Sequence, residues 1–160
     1  GTDIDLTLIR EAVNYASGKG VLVVAAAGND GPASNSIDYP GAYASVLAVG
    51  ALNPSLNVTN WSSRGNNLAT NPLAIDERDI EFAAPGELIE STWVGGGYKV
   101  ISGTSMASPF VAGLAAKYWS GLTAAANDIR ELLRTKSTDL PPLGATYTDE
   151  GSGFGLPQVK

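Results

Sequence analysis

An α/β fold with a mainly parallel sheet covered by helices is predicted by three features of the 160-residue sequence. Two short apolar runs, VLVVAAA at residues 21–27 and SVLAVGA at 45–51, show no polar alternation. Strands covered on both faces, as in a parallel sheet, read this way. A segment of helical period precedes the first run and an apolar helical segment comes later, so helix, strand, loop and strand succeed one another in the order of α/β layers. At 44% hydrophobic residues the chain can bury one sizeable core.

Along the chain, Thr2 or Asp3 is the expected cap of a first helix through Ser17, with Leu6, Ile9, Val13 and Ala16 on its apolar face and Gly18 or Gly20 ending it. Residues 28–44, rich in Gly, Pro, Asn and Ser, read as a long loop between the two buried strands. Residues 60–81 are polar, broken by Pro72 and mildly acidic, which predicts a surface excursion whose acids are solvated. FAAPG and a short strand around Leu88–Trp93 follow. The segment GTSMASPFVAGLAAKYWSG, 103–121, reads as a largely buried helix, Pro109 lying in its early turns where an amide donor is not yet needed. A last helix, capped by Thr123 and reaching Thr135, turns Ile129, Leu132 and Leu133 inward.

Composition removes several functions. A net charge of −6 with only ten Lys and Arg provides no basic patch for nucleic acid. No apolar run approaches the ~20 residues that span a bilayer, so no membrane segment is expected. Without cysteine or histidine, metal chemistry is confined to hard cations held by oxygen, with calcium the candidate. A chain that opens on Gly1 and not on Met reads as a processed or excised piece.

The chemistry converges on two residues. Ser105 falls at the start of a helix, where unpaired amides favour negative charge, and Asn29 follows a buried strand and a glycine, at the carboxyl end of the sheet. The Asn29 side-chain amide and the Ser105 backbone amide together make an oxyanion hole for acyl transfer. Serine is a weak nucleophile unless a base activates it, and with no histidine these residues cannot complete a Ser-His-Asp triad. Taken alone, Gly-Thr-Ser at a helix start is a cap and Asn-Asp-Gly a turn. Met106, beside the serine, is a packing residue and an oxidation-prone thioether.

Five stretches, GTSMASPFVAG, VVAAAGNDG, YPGAYASVLAVGA, FAAPG and GFGLPQV, occur in the order and setting of the carboxyl-terminal half of a subtilisin-like serine protease, which the chain resembles over nearly its whole length. The resemblance implies a three-layer domain of which residues 1–160 are the C-terminal part, completed by an N-terminal half. It makes Ser105 the nucleophile and Asn29 the oxyanion-hole amide. The catalytic Asp and His would come from an N-terminal chain of the same precursor, so this chain alone is expected to be inactive. Phe110 stands where many relatives have histidine, at a structural position, and residues 66–81 look like a surface insertion.

Further expectations follow from the same likeness. The primary specificity pocket would be walled by AAAGND, SIDYPG and the backbone near Gly103, giving Ala26, Gly28, Asp30, Asp38 and Thr104 as substrate-binding residues. Asp30 falls at the rim and Asp38 at the base, where a buried carboxylate calls for a substrate Lys or Arg. A structural Ca2+ would take carbonyls of Gly41, Tyr43 and Val46 and the carboxylate of Glu81. The family favours a secreted or periplasmic setting. Two other readings stand beside it. A non-catalytic, peptide-binding pseudoprotease would lack the upstream Asp and His; a sedolisin-like acid peptidase would have an aspartate where this chain has Asn29.

Overall fold

The computed structural model describes residues 1–67, 74–119, 124–140 and 149–158. Its first helix, α1 (Thr7–Gly18), starts later than the sequence predicts and has no side-chain cap. Thr2 cannot serve, because its backbone is bridged to Tyr39, by 3.2 and 2.8 Å hydrogen bonds, five residues before the helix begins. Gly20, at φ 81°, ends the helix as expected. On the predicted apolar face Val13 reaches the core, whereas Leu6 and Ile9 are 45% and 41% exposed. The helix rests mainly on one strand, and Arg10 holds its outer side through ion pairs to Asp5 and Glu77.

That strand is β1 (Val23–Ala26), and it pairs in parallel with β2 (Val46–Leu52), which pairs in parallel with β3 (Phe82–Pro85). The order β1-β2-β3 puts β2 at the centre, and every residue of β2 is buried. Alternation sorts its side chains between two cores. Leu47, Val49 and Ala51 join Phe82, Ala107, Val111, Ile129 and Leu133 on one face. Val46 and Ala48 join Ala27, Ile37, Tyr39, Tyr43 and Ile80 on the other, with Val13 of α1 packed against them. The layers are therefore helix, sheet, helix. The β1 side chains are only half-buried, contrary to the expectation of full burial, because β1 forms the edge of this sheet.

Two antiparallel strands, β4 (Ile89–Thr92) and β5 (Tyr98–Ile101), form a hairpin turned by Gly95, Gly96 and Gly97, all at positive φ. The sequence reading contains only the first of the pair. Strand β5 runs straight into α2 (Thr104–Trp119), which crosses all three parallel strands. Helix α2 is apolar around its circumference but buries only Thr104, Ala107, Val111 and Ala115, with Phe110 43% exposed. The expectation of a largely buried helix fails here because the sheet covers one side of it only. Helix α3 (Ala126–Thr135) packs on α2 and buries Ile129 and Leu133, leaving Leu132 half-buried. Thr123, its expected cap, lies outside the described residues, as does Pro72; the Asp128 carboxylate instead accepts the Ala125 N–H at 2.9 Å. Strands β6 (Ser137–Thr138) and β7 (Leu156–Pro157) close the chain.

Residues 66–81 end inside the protein. Asp76 and Glu77 are exposed, but Asp79, Ile80 and Glu81 are buried as the segment turns into β3, so the surface reading fails for its last three residues.

Candidate active site

The parallel strands point their carboxyl ends toward one region, and the functional side chains gather there. Past β1 the chain turns at Gly28, whose φ of 113° suits glycine. A β-carbon at Gly28 would lie 2.8 Å from Ser63 Oγ and 3.0 Å from Asp38 Oδ2, so the residue also admits both groups to the strand end. Past β3, the Gly86 carbonyl accepts the Gly103 N–H at 2.8 Å and brings the start of α2 beside it.

Thr104 joins the two strand ends. Its hydroxyl accepts the Gly28 N–H at 3.1 Å, and its own N–H donates to Asn29 Oδ1 at 3.0 Å. That bond fixes which end of the Asn29 amide faces the helix, leaving Nδ2 as the outward donor. A methyl group placed on Gly103 would sit 3.8 Å from Asn29 Nδ2 and 3.7 Å from the Ser105 backbone nitrogen, so both donors border one small space. Ser105 is exposed beside it, and its N–H, in the first turn of α2, has no partner among the described residues. Two oriented N–H donors, one side-chain and one backbone, bordering one opening next to an exposed hydroxyl, can hold an oxygen that gains negative charge.

Asp30 and Asp38 share a cleft of about 580 Å³ with Asp3, Asn35 and Arg78. The Asp38 side chain is 15% exposed and accepts no hydrogen bond from the described residues. The Gly1 backbone nitrogen lies 3.9 Å from Asp38 Oδ2. Burial, then the neighbouring Asp30 carboxylate, push the Asp38 carboxyl above the ordinary carboxylate range; Arg78 pulls the other way. Ala26, Gly28 and Thr104 do not line this cleft. Thr104 is 1% exposed with its hydroxyl and amide both engaged, and through them it orients Asn29. Two contributors were missed in the sequence reading. Ser63 Oγ accepts the Asp30 N–H at 3.0 Å, and Arg78 enters the cleft from 40 residues along the chain; neither lies in a motif.

The ligand set expected for calcium is corrected at Glu81 and Val46. Glu81 is fully buried with both oxygens engaged: Arg130 Nη2 lies 2.6 Å from Oε2, and Arg134 Nε lies 2.8 Å from Oε1. Arg130 Nη2 also donates to the carbonyls of Ala44 at 3.0 Å and Val46 at 3.5 Å. A guanidinium thus occupies the carbonyl and carboxylate oxygens assigned to a cation, while the Tyr43 carbonyl accepts the Val46 N–H and Gly41 sits against the Ala26 carbonyl. Among the described residues no three His, Cys, Asp or Glu gather as a metal site. Glu81→Ala is therefore expected to lower stability by about 3–5 kcal/mol, because Arg130 and Arg134 lose the buried carboxylate they share. A denaturant midpoint unchanged in Glu81→Ala would remove these ion pairs from the stability of the junction.

The subtilase family model matches residues 2–155. The chain belongs to the subtilase family. Against the subtilisin of Bacillus sp. (strain TA39) this subtilase is 45% identical, the match covering 100% of the chain and 40% of that protein. Against the minor extracellular protease Epr of Bacillus subtilis (strain 168) it is 37% identical, over 100% of the chain and 22% of that protein. The solved S41 Psychrophilic Protease superposes with a TM-score of 0.94 at 43% identity, covering 100% of the chain and 55% of that structure. The subtilase chain therefore spans about half, or less, of the proteins it matches, and its α/β architecture is theirs.

Proposed function

We propose that this chain is the serine-bearing part of a subtilisin-like serine endopeptidase, active only with an amino-terminal chain that supplies Asp and His. The observation that carries the reading is the pair of donors, Asn29 Nδ2 and the Ser105 N–H, bordering one space beside an exposed Ser105. With a histidine from the partner chain removing its proton, Ser105 Oγ attacks the peptide carbonyl carbon. Asn29 and the Ser105 amide take the charge that develops on the carbonyl oxygen, and the amine leaves with the proton the histidine held. Water then repeats the sequence on the acyl-enzyme. The open edge of β1 and the apolar outer side of α2 support a covering partner, since a helix apolar all round is normally buried. Extracellular operation is the setting proposed, supported by the name that Epr carries.

The substrate preference proposed is Lys or Arg immediately before the scissile bond. Asp38 has no hydrogen-bonding cation of its own, and a substrate guanidinium would supply one through a bidentate contact. The test uses fluorogenic peptides differing only at that residue, with the two-chain enzyme and its Asp38→Asn variant. The expected result is a higher kcat/KM for Arg than for Leu, abolished by Asp38→Asn. Because the Asp38 pKa is raised, its charge disappears at a higher pH than an ordinary aspartate's as the solution is acidified. The Arg preference should fall with it, while the Leu peptide does not follow that limb. Equal rates for Arg and Leu peptides, or an Arg preference that survives Asp38→Asn, would remove Asp38 from the pocket.

A further inference from the structure

Arg78 lines the same cleft as Asp30 and Asp38, and the geometry points to it as the positioning residue that sets how strongly this cleft discriminates basic from neutral substrate side chains. The inference rests on the reading of Asp38 as the base of the specificity cleft. Asp38 lies in no regular element, and its carboxylate accepts no hydrogen bond from the described residues. Its own N–H is tied to the Ala27 carbonyl at 2.7 Å, but the direction of its side chain depends on how the flanking loop is held.

The Arg78 guanidinium holds that loop at three residues around it. Nε donates to Asn35 Oδ1 at 2.5 Å, and Nη2 donates to the carbonyls of Asn35 at 3.0 Å and Ile37 at 3.3 Å. The same group lies 5.6 Å from the centre of the Tyr39 ring. The base of this clamp is itself fixed. The Arg78 N–H donates to the Ala42 carbonyl at 2.7 Å, its carbonyl accepts from Asn66 at 2.8 Å, and its φ of 71° is one that residues with side chains seldom adopt.

Two effects of Arg78 oppose each other. Its charge, facing the carboxylates across the cleft, weakens the attraction for a basic side chain; its hydrogen bonds keep Asp38 where such a side chain can meet it. Charge acting across an open, water-filled cleft is screened over its longer distance, whereas the three Arg78 hydrogen bonds, two exposed and one part-buried, act at contact and fix direction as well as distance. The clamp wins, so removing Arg78 lowers discrimination.

The experiment measures kcat and KM of the two-chain enzyme on Arg and Leu peptides for the unaltered protein, Arg78→Gln, Arg78→Lys, Asn35→Ala and Asp38→Asn, counting active sites by fluorophosphonate labelling. The expected result is a KM for the Arg peptide raised about tenfold by Arg78→Gln, with kcat and the Leu peptide within about twofold. Arg78→Lys should recover part of the loss, because one of the three donors can be replaced. Asn35→Ala removes the Oδ1 acceptor, at a φ of 60° that alanine adopts less readily than asparagine, and should shift the same KM by about threefold; it decides the question if Arg78→Gln does not fold. A ratio unchanged or increased in Arg78→Gln, or unchanged in Asn35→Ala, overturns the inference while Asp38→Asn still abolishes the preference. If Asp38→Asn itself leaves the ratio intact, the reading of the cleft fails first, and the inference about Arg78 with it.

Discussion

Peptide hydrolysis should appear only when this chain is combined with an amino-terminal chain carrying Asp and His, and Ser105→Ala should then remove about 10⁶-fold of the rate. Triad members act as a unit: without a base, the Ser105 hydroxyl keeps its proton and is a poor nucleophile. No histidine exists anywhere in these 160 residues to provide that base. The check compares the chain alone, the chain with its partner, and each as Ser105→Ala, using fluorogenic peptides and intact mass to exclude a co-purifying fragment. Serine-dependent turnover by the isolated chain would end the split-site account.

The second large effect belongs to Asn29. In the two-chain enzyme Asn29→Ala should slow turnover by about 10²–10³-fold, with most of the loss in kcat, while Ser105 still reacts with a fluorophosphonate. Asn29 Nδ2 donates to nothing among the described residues, and Thr104 holds the amide by its oxygen, so the donor is oriented before any substrate arrives. An interaction made only as the carbonyl oxygen gains charge lowers the barrier without tightening ground-state binding. Unchanged kcat in Asn29→Ala, with a folded and labelled protein, would remove it from the oxyanion hole.

Much of this was legible in the residues, and each failure has a physical cause. Strand β2 and the Ile129 and Leu133 face of α3 were readable because each is covered within this chain by elements that the apolar pattern reports. Helix α2 and strand β1 carry the same kind of pattern, yet stand half-open, because apolarity records what a surface is suited to meet and not whether the partner lies in the same chain. Asn29 and Ser105 could be singled out because motif and position in the chain agree, and the structure places them side by side. The roles of Thr104, Ser63 and Arg78 could not be, since each depends on a neighbour more than 30 residues away that no local spacing encodes. Glu81 was misread for the opposite reason: a carboxylate near carbonyl oxygens is compatible with a metal or a guanidinium, and only the packing of α3 decides between them.

The way α3 supplies that guanidinium changes what this part of the protein depends on. A metal ion at such oxygens is exchanged with the medium, so its occupancy follows the free concentration, and every dissociation leaves a moment in which the region is unsupported. Arg130 is tethered by the backbone, so its local concentration is set by chain geometry and no dilution can remove it. Occupancy and folding become one equilibrium: while α3 is docked the charge is in place, and it leaves only if the helix does. The occupancy of these oxygens is thereby independent of any free cation's concentration, a property of covalent connection that no mobile ligand can match.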